Sequence, residues 1–213
     1  MNLLLVRHGE SLGNKQGVIQ GLKDFPLTTV GEKQAVLLGN YMANESIDVL
    51  YTSDLTRAAQ TAEQIAKHHP IEATKWGKVR EIGLGPLEGK TRAEIFLQYP
   101  EVKDNSSILT TNLPGTELVC EITDRCQYVL EQLLAAHRGN NVVVVSHGGF
   151  ISIFLMYLMF AEKWNDVHRP FIVGNTGVSR IQFLEGDKPV FHYVNRDGHL
   201  LIDNQAASAT VIY

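Results

Sequence analysis

Leu3-Leu4-Leu5-Val6-Arg7-His8-Gly9-Glu10 decides the fold. Four apolar residues in a row, with no polar alternation, fit a strand buried on both faces, the kind found in parallel sheets covered by helices. The run stops in a cation, an imidazole and a glycine, so the strand delivers its polar groups at its C-terminal end. Val142-Val143-Val144-Val145 repeats the pattern and is followed by Ser146-His147-Gly148-Gly149. Being entirely β-branched, it reads as a central strand. Ile47 to Thr52 reads as a third strand, followed by Ser53 and, one helical turn on, Arg57.

Helical spacing of Val30, Ala35, Leu38 and Met42 predicts a helix from about Thr28 to Ala43. Ser53 reads as the cap of a helix running to about His69, with Pro70 as its stop, and an apolar helix begins near Phe150. Val178 to Leu184 and Val190 to Val194 read as strands of a hairpin closed by Glu185-Gly186-Asp187-Lys188-Pro189. Strands alternating with helices imply an α/β sandwich on a largely parallel sheet. The segment 83–116 is richer in glycine, proline and polar residues. It reads as a lid-like insertion over one end of the sheet, with one short helix from about Thr91 to Tyr99. The 213 residues fit one domain, 1–213, carrying that insertion.

A hydrophobic share of 44% and a net charge of −4 offer nucleic acid or an anionic membrane no overall attraction, so any basic site must be local. Leu3 to Val6 is too short for a signal peptide, and Phe150 to Phe160 is about half the length needed to cross a bilayer. A cytoplasmic enzyme is the expectation. Cys120 and Cys126, six apart on an expected helix, point to different faces, so two free thiols are expected.

Three strands thus each end in groups capable of catalysis: Arg7 and His8, Ser53 and Arg57, Ser146 and His147. Ligands bind at the carboxyl ends of strands in open α/β sheets, so these groups are expected to converge. Two arginines and two histidines brought together repel unless an anion sits among them. Phosphate fits, because a planar guanidinium grips its oxygens in bidentate fashion. Arg-His alone after a strand is usually an ordinary polar loop. Arg-His-Gly-Glu is more specific, with a chance occurrence on the order of one in a thousand in a chain of this length.

On these residues the chain resembles the histidine phosphatase superfamily, also known as the phosphoglycerate mutase-like family. Arg7-His8-Gly9-Glu10-Ser11-Leu12-Gly13-Asn14 looks like the family signature. Pro26 to Gly31, Ser53 to Ala62, Arg80 to Gly89 and Ser146 to Gly149 match later motifs in family order, and the resemblance extends to about Leu184. It implies a three-layer α/β/α sandwich with a mostly parallel central sheet, and a phosphohistidine intermediate with neither cofactor nor metal. His8 would attack phosphorus as a neutral imidazole oriented through its other ring nitrogen. Arg7, Arg57 and His147 would hold the equatorial oxygens, with Asn14 and Gly148 on the same phosphate. Glu81 would protonate the leaving oxygen and then activate water. Gln20 and Gly21 would approach the substrate, whereas Glu10 and Glu88 fit structural roles.

Mutases of this family also need cations for a substrate carboxylate. Here Tyr99 to Thr116 offers only Lys103, although Arg92 falls where mutases place a cationic contact. A short lid favours water over retention of the phosphoryl group. The expectation is therefore a phosphatase that releases inorganic phosphate from a small phosphorylated metabolite. A cofactor-dependent phosphoglycerate mutase is the alternative. A metal-dependent hydrolase on His8, His147 and Glu81 is disfavoured by the neighbouring arginines, and a phosphate-binding module without chemistry by the intact set. Asn175-Thr176-Gly177 reads as a turn. His68, His69, His137, His168, His192 and His199 read as loop or surface histidines.

Overall fold

A computed structural model describes residues 1–104, 107–168 and 171–202. One six-stranded sheet runs through it, formed by β1 (Asn2–Arg7), β2 (Val49–Thr52), β3 (Ala73–Lys75), β4 (Asn141–Ser146), β5 (Val178–Phe183) and β6 (Pro189–Arg196), in the order β3-β2-β4-β1-β5-β6. β4 lies between β1 and β2 and is parallel to both, β3 extends the parallel part, and the β5–β6 hairpin adds an antiparallel edge. β3 carries only three residues and no hydrophobic run, so sequence pattern alone did not reveal it.

Strand periodicity sorts the central residues between two cores. Leu4 and Val6 of β1, with Val143 and Val145 of β4, pack with Leu38 and Met42 of α2 (Thr29–Met42) and Ala58, Ala62 and Ile65 of α3 (Thr56–Ala66). Leu3 and Leu5, with Val142 and Val144, face Val129 and Leu133 of α5 (Val119–Ala136) and Phe150 and Phe154 of α6 (Gly148–Phe160). Both faces are covered. The unbroken apolar runs therefore have their predicted cause, and the architecture is the three-layer α/β/α sandwich. α6 is buried around nearly its whole circumference, from Gly148 to Leu158, which explains its lack of a polar face.

Helix boundaries show where tertiary contacts overrule local signals. Thr28 caps α2, its hydroxyl accepting from Gly31 N at 3.0 Å. Ser53 does not cap α3. That helix begins after Leu55, which makes no side-chain cap bond, and its Thr56 N–H donates at 2.8 Å to Asp24 from a distant loop. Ser53 is fully buried and its hydroxyl faces His147 instead, at 2.8 Å. In the segment 83–116 the expected short helix is present as α4 (Arg92–Gln98), closed by a reciprocal Thr91–Glu94 capping box. Short 3-10 turns at Gly85–Leu87, Pro100–Asp104 and Ile108–Thr110 complete it. Cys120 is exposed, Cys126 is buried, and both are free thiols.

Leu5 is 1% exposed at the centre of the sheet. Leu5→Ala is expected to lower unfolding free energy by about 2–5 kcal/mol, read from the urea midpoint at unchanged slope.

Candidate active site

Parallel register sets the strand ends level. Arg7 pairs with Ser146 and Thr52 with Val145. Just beyond them His8 N donates to Ser146 O at 3.0 Å and Ser53 N to Val145 O at 2.9 Å. The three predicted clusters therefore meet at one edge of the sheet. Arg7, His8, Asn14, Gln20, Gly21, Arg57 and Glu81 line one cavity there, with Gly17, Val18, Ile19, Leu84, Ile108 and Leu109 completing its wall.

The His8 ring is oriented through Nδ1, 2.6 Å from its neighbour's carbonyl, Gly9 O. A carbonyl can only accept, so Nδ1 carries the proton and Nε2 keeps its lone pair. Burial, reinforced by the charges of Arg57 and Arg7, holds the His8 pKa well below the ordinary imidazole value. The charged form of the ring is thus disfavoured, and Nε2 stays unprotonated. The loop that presents it runs hard against the start of α2: a side chain on Gly9 would come 2.6 Å from Gly31 O, and one on Gly31 would strike Glu10 O.

Arg57 is fully buried, and its fork is spread by three acceptors: Gly21 O at 2.9 Å, Lys23 O at 2.8 Å and His147 Nδ1 at 3.2 Å. Arg7 donates to Val173 O at 2.7 Å. Because His147 accepts at Nδ1, its proton sits on Nε2 and points to Ser53 Oγ. Its pKa is also held well below the ordinary value, first by burial and then by Arg57 and the other nearby cationic groups. His147 and Gly148 are not on the cavity wall. His147 is completely buried one layer behind it, with its ring centroid 5.1 Å from that of His8.

Glu81 is 7% exposed and accepts from Ile82 N, Gly149 N and Phe150 N, two of them in the first turn of α6. A lone carboxylate in an Arg-Glu pair gives no sequence sign of this anchor, since its partners lie about 70 residues on. Asn14 Oδ1 accepts from Ser11 N at 3.1 Å and Asn175 Nδ2 at 3.4 Å, which commits its oxygen and leaves the amide nitrogen as donor toward the cavity. Gln20 Oε1 likewise accepts from Ser11 Oγ at 2.7 Å. Glu10 receives the Thr28 hydroxyl, and Glu88 receives Leu22 N and Leu84 N, so both are structural.

Asn175-Thr176-Gly177 is a turn, as read from sequence, but it also braces the nucleophile loop. Asn175 Nδ2 and Thr176 N both donate to His8 O, at 3.0 and 3.3 Å. Thr176 holds φ at +54°, unfavourable for a β-branched residue. His199 departs from its expected surface position. It is 3% exposed, bonded to Thr176 Oγ1 at 3.0 Å and stacked on Tyr41. His137 is half-buried against the Tyr51 hydroxyl, at 3.0 Å. Among the described residues no cluster of three or more His, Cys, Asp or Glu could hold a metal ion, and no helix is long and apolar enough to cross a membrane. His147 and Glu81 direct their polar atoms at protein partners, and His8 does so through Nδ1 alone.

A buried, neutral histidine beside two guanidinium groups, on the carboxyl edge of such a sheet, suits a metal-independent phosphate-transferring enzyme. Residues 3–197 match the histidine phosphatase superfamily (branch 1). The "Probable phosphoglycerate mutase GpmB" of Salmonella choleraesuis is 31% identical over 188 residues, covering 87% of this chain and 86% of that protein. A mutant phosphoserine phosphatase from Entamoeba histolytica, solved with phosphoserine, is 28% identical with a TM-score of 0.76, covering 93% of this chain and 98% of the other. YhfR from Bacillus stearothermophilus is also 28% identical, with a TM-score of 0.79 over 90% of this chain and 95% of its own. The chain belongs to the histidine phosphatase superfamily.

Both buried imidazoles stay neutral where unfolded histidine would take a proton. Stability, fully present above pH 6.5, is therefore lost as pH falls from 6.5 toward the depressed native values. Each group is expected to remove up to about 1.4 kcal/mol per pH unit in that window. Urea midpoints measured from pH 7 to pH 5 should fall, and should fall less in His8→Ala.

Proposed function

We propose that the enzyme is a phosphatase acting on small phosphomonoesters, with His8 as nucleophile and Glu81 as proton donor. The observation that carries this is His8 itself: neutral, with Nδ1 fixed on Gly9 O and Nε2 left to attack. In the first step Nε2 forms a bond to phosphorus as the phosphorus–oxygen ester bond breaks, and Glu81 gives its proton to the departing alkoxide. In the second, a water loses its proton to Glu81 and displaces the imidazole, releasing inorganic phosphate. Arg7 and Arg57 offset the charge on the transferring oxygens, and Asn14 supplies a neutral donor. In this role His147 positions Arg57 through Nδ1 and reaches the phosphate only by exchanging the Ser53 hydroxyl at Nε2, and Gly148 starts the helix whose N–H groups hold Glu81. Gln20 and Gly21 complete the substrate contacts.

Hydrolysis rather than mutation is supported by the cations the pocket lacks. Arg92 is absent from the cavity wall and its guanidinium lies over the Phe96 ring, 5.4 Å from the centroid. Lys103 is exposed and also off the wall. The mutase reading keeps one observation in its favour, the name borne by the Salmonella relative. We further propose a single domain, 1–213, with 83–116 as its lid, and a cytoplasmic location, which the free thiols support.

His8→Ala is expected to abolish phosphate release and the acid-labile, base-stable labelling of the protein by a phosphate donor. Undiminished hydrolysis in that variant would overturn the covalent route. Glu81→Gln is expected to slow alkyl phosphate hydrolysis by about 10²–10⁴-fold. p-Nitrophenyl phosphate, whose leaving group departs unprotonated, should suffer far less. Given 3-phosphoglycerate and its bisphosphate, the enzyme should release phosphate faster than it interconverts phosphoglycerates; the reverse ratio restores the mutase.

A further inference from the structure

The cavity has two chemically distinct parts. Its charged and amide groups, Arg7, His8, Asn14, Arg57 and Glu81, gather where phosphate is transferred. The rest of the wall is Val18, Ile19, Leu84, Ile108 and Leu109, with Gly17 and Gly21 and with Gln20 as its polar side chain. Ile19, Leu84, Ile108 and Leu109 are each no more than 6% exposed, so the pocket's shape is set by packed side chains rather than by loose surface groups.

Leu109 fixes where this apolar wall lies relative to the chemistry. The point that a side chain on Gly149 would occupy is 2.6 Å from Glu81 Oε1 and 3.1 Å from Leu109 Cδ1. The carboxylate assigned to the leaving oxygen and the Leu109 methyl are therefore neighbours. Both residues also line the cavity, so an alcohol departing toward Glu81 leaves into the space that Leu109 helps to enclose. The lysines closest in sequence are turned elsewhere: Lys23 Nζ donates to Glu88 O at 2.8 Å and Lys90 Nζ to Pro86 O at 2.6 Å.

We propose that the leaving-group side of this pocket is built for an uncharged, predominantly apolar alcohol, so that the preferred substrates are alkyl or arylalkyl phosphomonoesters rather than phosphoacids. This rests on the phosphatase reading of the same site. A substrate carboxylate or ammonium placed against Val18, Ile19 and Leu109 would lose its hydration without gaining an ion partner there. An alkyl chain in that position removes apolar surface from water at both partners. The Entamoeba neighbour, solved with phosphoserine, and its companion structure, solved with 3-phosphoglyceric acid, carry acidic ligands. This chain departs from them in substrate class while keeping the reaction.

Hexylphosphonate and 3-phosphonopropionate, which cannot be hydrolysed, test the wall without turnover. Calorimetric titration of the full-length enzyme should give hexylphosphonate about tenfold or more the affinity of the acid. Equal or tighter binding of the acid overturns the inference. The turnover arm compares hexyl and 2-phenylethyl phosphate with phosphoserine and 3-phosphoglycerate, all of which release an alkoxide, so intrinsic leaving ability does not decide the order. A kcat/KM ranking with the alkyl esters about tenfold or more ahead supports the inference, and the reverse ranking sinks it. Hydrolysis absent throughout, with the phosphonate preference intact, sinks the phosphatase reading and leaves the apolar wall standing. Val18→Lys, at a half-exposed position, should narrow or invert the phosphonate preference; an unchanged ratio counts against the wall.

Discussion

Everything at this site depends on holding two guanidinium groups beside two buried imidazoles without letting positive charge grow further. Burying a cation is costly unless its donors are satisfied, and both arginines are met by backbone carbonyls: Gly21 and Lys23 for Arg57, Val173 for Arg7. The same cations keep His8 and His147 neutral, and burial does more still. A field of this kind favours an anion entering the pocket over protonation of His8. Burial and the two arginines thus act together on His8, and the arginines alone supply the attraction for an anion.

The fold supplies the rigidity that this arrangement requires. β1 and β4 run parallel and in register, so Arg7 and Ser146 end level and His8 is bonded back to Ser146. Two glycines, Gly9 and Gly31, allow the loop after β1 to lie directly on the first turn of α2. From the other side, Asn175 and the strained Thr176 hold the His8 carbonyl, and His199 secures Thr176. Backbone strain at such a position persists only where surrounding contacts over-determine it. The placing of His8 is therefore a property of several chain segments, not of the loop alone.

Glu81 and Leu109 show how the reaction and the choice of substrate can be set separately. Glu81 is tied to the start of α6, the most buried helix in the molecule, so its position follows from the core. Leu109 comes from the separate 3-10 turn Ile108–Thr110. In the proposed reaction, changing that turn would alter what departs without moving what attacks. Members of one superfamily can in this way share chemistry while differing in leaving group.

The sequence by itself determined the two buried strands, the polar residues at their ends and the family, because apolar runs and strand-end motifs are local. It also placed Arg7, His8 and Arg57 together, since parallel strands must present the same end, and the family motifs added Asn14, Gln20, Gly21 and Glu81. Only the tertiary structure decided that Ser53 serves His147 rather than capping a helix, that His147 stands behind the cavity, and that His199 is buried. It alone set Glu81 on α6 and turned Arg92 away from the pocket onto Phe96. Each of these depends on a partner dozens of residues away, and hydrogen bonds or burial between distant segments leave no trace in local spacing.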